Sequence, residues 1–271
     1  GDAAVPVGAV INAERYVDVL LLGTKKHYKL LLKKLEQMTY FGLKQIAEEI
    51  SAALGENKVF TTLADGRVLT YDKMCVMGIL NITPDSFYAG SRVPMLDSVI
   101  ERAGKMLADG ADILDIGGES TRPGSDSVDG GEERRRVLPV IEALRKAYPD
   151  AVLSVDTYRA DTAEAALFAG ADIINDISAM EADSAMLSVA VRTKAPIILM
   201  HMRGTPKNMQ QNCQYSNVVE EVAAYLAQRA QLLREQGVGA DKIILDPGIG
   251  FAKDVEQNPV SYTHLTLPKI L

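Results

Sequence analysis

The sequence predicts an α/β fold built as an incomplete TIM (β/α)8-type barrel, and three observations carry that expectation. From Lys73 onward, short apolar runs alternate with helical stretches. The runs are apolar throughout, as strands buried on both faces are. Polar residues collect where the runs stop, which is the end at which barrels build their sites. An open, doubly wound sheet is the competing architecture, but no G-x-G-x-x-G follows the first run.

Taken in order, Val17–Leu22 reads as a short strand, and Lys25–Gln37 places Leu30, Leu31, Leu32 and Leu35 at helical spacing among lysines. A second helix is expected over Leu43–Leu54. Lys58–Leu63 and Arg67–Thr70 flank Ala64-Asp65-Gly66, and Asp-Gly is a strong hairpin signal. Residues 1–72 are therefore expected to form a small N-terminal α/β extension ending in a hairpin. Its lysines read as a solvated helix face, and nothing in it carries recognisable chemistry.

The main domain is expected over 73–258. Its candidate strands are Met74–Leu80, Asp112–Ile116, Val152–Val155, Asp172–Asp176, Pro196–Met200 and Lys242–Leu245. Helical stretches lie near 94–109, 132–147, 159–169, 181–193 and 217–236. Strict alternation of this kind gives a parallel sheet with right-handed crossovers. A partial repeat sharpens the reading: Gly110-Ala-Asp-Ile-Leu-Asp115, Gly170-Ala-Asp-Ile-Ile-Asn175 and Gly239-Ala-Asp-Lys-Ile-Ile-Leu-Asp246 resemble one another. In each, a glycine able to end the preceding helix leads into a strand that stops on Asp or Asn. One such residue could simply cap a turn, but several at the same end of successive strands favour a site.

Composition bounds the function. The 271 residues are 47% hydrophobic and 24% charged, which is globular and leaves ample material for a core. A net charge of −7 argues against a nucleic-acid partner. No apolar run approaches the roughly 20 residues that cross a bilayer, so no membrane partner is expected. Cys75 and Cys213 have neither disulfide-framework nor metal-ligand spacing and read as reduced cytosolic thiols. His201 follows a strand, but without a second His or Cys nearby it reads as loop support, not as a ligand.

The segments after the six runs are Asn81-Ile-Thr-Pro-Asp-Ser-Phe87, Asp115-Ile-Gly-Gly-Glu-Ser-Thr-Arg-Pro-Gly124, Ser154-Val-Asp-Thr157, Asn175-Asp176, Met200-His-Met-Arg-Gly-Thr-Pro206 and Asp246-Pro-Gly-Ile-Gly-Phe251. In this order they strongly resemble dihydropteroate synthases, over about Met74 to Asn258. That resemblance implies condensation of 6-hydroxymethyl-7,8-dihydropterin pyrophosphate with 4-aminobenzoate to give 7,8-dihydropteroate and pyrophosphate. It implies a cytoplasmic transferase of folate biosynthesis, a sulfonamide target, and a homodimer in the full-length protein.

Residue by residue, the resemblance implies that Asp246, Asn175 and Asp156 hold the pterin and act as the catalytic set. It places Thr121 and Arg122 on phosphate, Met200 and Phe251 against substrate, and Asn81 on Mg2+. The residue types suit those roles. A carboxylate accepts two adjacent ring donors, an amide offers both donor and acceptor, and Arg forks onto phosphate. Asp115 reads equally as support for the phosphate side or as a turn cap. The expected mechanism is dissociative, resting on positioning and electrostatics with no covalent enzyme intermediate.

The sequence also departs from the family. Six strands are countable where a barrel has eight, and the family's Ser-Arg-Lys and Arg-x-His blocks do not occur. The tail 259–271 leaves the pattern: Val260-Ser-Tyr-Thr-His-Leu265 reads like a translated transposase-type sequencing adapter, so a non-native tail on a C-terminally truncated chain of impaired activity is expected. Two alternatives stand beside the synthase reading. One is a methyltetrahydrofolate–corrinoid methyltransferase-like enzyme, the other a non-catalytic pterin-binding protein.

Overall fold

The structure, a computed structural model, describes residues 4–7, 18–21, 25–35, 37–38, 42–54, 59–82, 92–119, 128–205 and 208–265. The chain divides into two compact units, Gly1–Lys58 and Val59–Leu271. The first contains strands β1 (Ala4–Val7) and β2 (Asp18–Leu21), paired antiparallel, and helices α1 (Lys25–Leu35) and α2 (Leu43–Leu54). Leu32, Leu35 and Ile50 are buried between the helices, against Tyr28, Leu31, Leu43, Ala47 and Leu54. Of the leucines read from the sequence, α1 buries Leu32 and Leu35, half-buries Leu31 and turns Leu30 out to solvent.

The hairpin expected around Asp65-Gly66 forms as β3 (Phe60–Thr62) and β4 (Val68–Thr70), and it belongs to the second unit. The boundary therefore falls at Lys58/Val59, and not near residue 72, because Leu63 of the hairpin packs into the main domain and is only 1% exposed.

Six parallel strands follow: β5 (Met77–Asn81), β6 (Ile113–Gly117), β7 (Val152–Asp156), β8 (Ile173–Asp176), β9 (Ile197–Met200) and β10 (Ile243–Asp246). Each pairs with the next, so spatial order equals chain order. A doubly wound sheet reverses its order at a switch point, and this one does not. With right-handed crossovers a monotonic order puts the connecting helices on one face and leaves the other as a barrel-type interior. Among the described residues β5 and β10 are the sheet's two edges.

The crossover helices are α3 (Arg92–Ala108), α4 (Gly130–Ala147), α5 (Ala160–Ala169), α6 (Ala185–Thr193) and α7 (Val218–Glu235). Strand side chains alternate between the faces. Leu114, Ile116, Leu153, Val155, Ile174, Ile197 and Leu199 point out and are fully buried with the helices. Ile113, Val152, Ile173 and Ile198 point in, and with Met77 and Ile244 they receive Leu63 and Leu69 of the hairpin. The hairpin thus fills the inner face at its N-terminal end.

The Asp of the repeat has a structural job. Asp112 Oδ2 accepts from Val76 N (2.8 Å), and Asp172 Oδ2 accepts from Leu153 N (2.8 Å), so each ties the start of its strand to the neighbouring strand. Asp172 also pairs with Arg145 (2.6 Å) and with Arg67 of the hairpin (2.5 Å), which fastens the plug. Gly170 ends α5 in the left-handed conformation at φ 115°. In the third copy Gly237, not Gly239, takes that conformation. A last helix, α8 (Gln257–Leu265), runs across the 258/259 boundary drawn from the sequence.

Leu63→Ala should cost about 2–5 kcal/mol in urea unfolding, because it empties the plug from a closed apolar end. A loss below about 1 kcal/mol would show that the hairpin does not pack there in solution.

Candidate active site

The same alternation that builds the apolar end of the inner face builds a polar end two residues further on. After Ile113, Val152, Ile173, Ile198 and Ile244 come Asp115, Ser154, Asn175, Met200 and Asp246. One more step gives Asn81, Gly117 and Asp156, which stand side by side in the register Asn81↔Gly117↔Asp156↔Asn175. Met200 is paired with Asp246. Asn81, Asp156, Asn175, Met200 and Asp246 are therefore brought to one end of one sheet face. Phe251 lies on the turn after β10, its N–H donating to Gly248 O at 3.0 Å. Thr121 and Arg122 lie outside the described residues.

Gly117 sets the spacing in the middle of this row. A Cβ at that position would meet Asn81 Oδ1 and Asp156 Oδ2, each at 3.3 Å. The missing side chain is what lets the two polar groups face each other. Asn175 Nδ2 donates to Asp115 Oδ2 at 3.0 Å. Asp115 Oδ1 and the neighbouring Ser154 Oγ are buried, with no further hydrogen-bond partner among the described residues.

Burial pushes the Asp115 carboxyl up, while Ser154 and Asn175 pull it back. Asp156 is pushed well up, first by burial and then by the charges of Asp115, Glu133, Asp176 and Glu119. Asp246 is also raised by burial, and is drawn back by the Gly248 N–H and by Lys253. The row is a crowd of carboxylates with little positive charge of its own. Asp176 stands apart: it accepts from Ser178 N, Ser178 Oγ and Met180 N, and so caps its own loop.

Two further groups escaped the sequence reading. The first is the cluster around Arg159, which pairs with Glu119 and Glu133 at 3.0 Å each and donates to Val128 O at 2.5 Å. Tyr158 OH joins at 3.1 Å from Glu119. Residues 119 and 128 flank the segment that carries Thr121 and Arg122, so Arg159 grips both of its ends. The second is Lys253, buried at 2% exposure beside His201. The only sequence signal for Arg159 is a charge just past the end of β7, and Lys253, well beyond the end of β10, has none.

His201 meets its expectation of loop support: its ring packs against Tyr225 and Tyr215, with centroids 5.0 and 6.0 Å away. A cavity of about 580 Å³, lined by Glu181, His201, Arg203, Asn212, Glu221 and Tyr225 among others, contains none of the expected site residues. Among the described residues no three His, Cys, Asp or Glu side chains are grouped to hold a metal, and no helix is long and apolar enough to cross a membrane.

Six parallel strands in chain order, with polar side chains gathered at their C-terminal ends, are the architecture of the barrel-type α/β class. The profile of the pterin binding enzymes matches residues 77–269, most of the chain, which belongs to that family. Dihydropteroate synthase of Synechocystis sp. is 48% identical over 197 residues, covering 73% of this chain and 66% of that protein. The chain thus spans about two thirds of that relative. The solved dihydropteroate synthase of Yersinia pestis in a sulfonamide complex is 40% identical, with a TM-score of 0.70 over 77% of this chain and 74% of that one. That of Burkholderia cenocepacia, complexed with 7,8-dihydropteroate, is 40% identical with a TM-score of 0.66 over 77% and 70%.

Asp156→Asn should stabilise the chain by about 1–2 kcal/mol at pH 8, since it removes a buried, repelled charge. A carboxyl raised by folding weakens the native state above its folded pKa, and that penalty vanishes where both states are protonated. The gain should therefore fade as the pH falls through the raised pKa of Asp156 and be nearly gone by about pH 4. An equal gain at pH 8 and pH 4 in urea unfolding would contradict the charge explanation.

Proposed function

We propose that this chain carries the pterin-binding core of a dihydropteroate synthase. Its substrates would be 6-hydroxymethyl-7,8-dihydropterin pyrophosphate and 4-aminobenzoate. The observation that carries the reading is the inner row of Asp115, Asp156, Asn175 and Asp246 on four strand ends of one sheet face. The relative bound to 7,8-dihydropteroate supports it.

The chemistry follows from charge flow. The bond between the pterin methylene and the pyrophosphate oxygen breaks with its electron pair going to oxygen. The arylamine nitrogen then forms a bond to that carbon and releases a proton. An arylamine is nucleophilic as it stands, so no strong base is needed. Asp246 accepts from the 2-amino group and the ring N–H. Asn175 and Asp156 take the remaining ring edge, and the negative row stabilises positive charge developing at the methylene. A site that pairs each ring donor rejects analogues lacking it.

Met200 and Phe251 give the ring apolar contact, and Thr121 and Arg122 take the phosphate oxygens. A sulfonamide would compete for the 4-aminobenzoate position. The reading carries with it a cytoplasmic enzyme, in which the free thiols of Cys75 and Cys213 stay reduced, and a homodimer.

Asn81 would hold Mg2+. Its amide oxygen stands across Gly117 from Asp156, and a single hard protein ligand fits an ion whose other positions are filled by phosphate oxygens and water. When bound, the ion would neutralise charge on the leaving pyrophosphate.

Pterin fluorescence titration of the 271-residue chain, followed by an assay for pyrophosphate release with 4-aminobenzoate, tests the reading. Asp246→Asn should weaken pterin binding about 10–100-fold, as a lost charged hydrogen-bond acceptor does. Equal binding by the variant would remove Asp246 from the site. Binding without product would favour the non-catalytic alternative, and methyl transfer from methyltetrahydrofolate the other enzyme.

A further inference from the structure

Lys253 follows the turn after β10, and its Nζ lies 3.0 Å from Gly248 O, 3.1 Å from Phe251 O and 3.1 Å from His201 Nδ1. An ammonium has three donors and no acceptor, so these partners use it completely. The His201 imidazole is held neutral, because burial and then the charges of Lys253 and Arg203 push it down to about 4. Its Nδ1 is therefore the acceptor, and the ring proton sits on Nε2.

The clamp reaches Asp246 through the turn. Gly248, whose carbonyl Lys253 holds, donates its N–H to Asp246 Oδ1 at 2.7 Å. His201 N donates to Asp246 O at 3.0 Å. The turn has no slack: Gly248 has φ +67°, and a Cβ there would come within 2.0 Å of His201 O. Only glycine fits both demands.

We propose that Lys253 is a positioning residue for Asp246: its ammonium fastens the 246–251 turn whose Gly248 N–H holds the Asp246 carboxyl, and brings a positive charge to that end of the row. Its functional meaning rests on the pterin reading of Asp246, since only the ionised form accepts from two ring donors. Its electrostatics do not rest on that reading.

The two groups act on each other through space. Burial brings the Lys253 ammonium down to about 8, and Asp246 holds it up against Arg203, which pushes the same way as burial. Cys213 is the other titratable group that raises it. Lys253 in turn counters the burial that raises Asp246. The rings of Tyr215 and Tyr225 close the surroundings of His201. Such coupling is reciprocal by linkage.

The test is carbon-13 NMR on the full chain, labelled at the Asp carboxyl and Lys ε carbons, with Asp246→Asn and Lys253→Met giving the assignments. Asp246→Asn should lower the Lys253 midpoint by about half a pH unit or more, and Lys253→Met should raise that of Asp246 comparably. Lys253→Arg, which keeps the charge, should leave Asp246 near its wild-type value. Unmoved midpoints would overturn the proposal. If Lys253→Met fails to fold, the near-isosteric Asp246→Asn arm still decides.

A functional readout follows. In 6-hydroxymethylpterin titrations across pH, Lys253→Met should move the acid limb of binding to higher pH. A uniform loss of affinity at every pH would reduce Lys253 to a structural prop and overturn the proposal. A wild-type chain that binds no pterin would defeat the proposed function, and the NMR midpoints would still settle this one.

Discussion

Everything in the second unit depends on the parallel register of six consecutive strands. Because side chains alternate with a period of two, fixing Ile113 against Val152 on the inner face also fixes Asp115 beside Ser154 and Gly117 beside Asp156. A slip of one residue would turn Asp115 and Asp156 toward α4 and α5, where no water or ligand could meet them. The hydrophobic layer under the helices and the polar row inside are thus two consequences of one constraint. The outward leucines and isoleucines make the register costly to change.

The polar row is electrostatically unfinished. Asp115, Asp156 and Asp246 are all raised by burial, and among the described residues only Lys253 brings positive charge to the row, at its Asp246 end. Arg159 is spent on Glu119 and Glu133. Such an arrangement costs stability in the empty protein and suits a ligand that brings donors and developing positive charge. The neutral-to-cationic course of pterin methylene chemistry fits that deficit.

Much of this was legible in the chain. Apolar runs and the residues at their ends brought Asn81, Asp156, Asn175, Met200 and Asp246 to one end of one face, and Leu43–Leu54 forms with the bounds expected of it. What was not legible depends on tertiary partners. The helix expected from residue 181 begins only at Ala185, because Asp176 and Ser178 hold the preceding loop and Ala179 and Met180 adopt positive φ. Strand β1 was hidden by its brevity and by Pro6, a poor strand former. Lys253 has no pattern of its own; its meaning comes from carbonyls two and five residues away and from an imidazole 52 positions earlier.

The hairpin that plugs the inner face has a consequence for how the molecule is made. Lys242 Nζ donates to Thr62 O and Leu63 O across separations of 180 and 179 residues. During synthesis the plug leaves the ribosome long before the last strand that holds it exists. Leu63 must wait in a nascent chain with its apolar face uncovered until Ile113, Val152, Ile173 and Ile198 have followed it, and the Lys242 bonds close last. Contacts that close such long loops come late and slow the final step. The interval between making the stopper and adding the strands that hold it is when this chain is most exposed to aggregation or to chaperone capture.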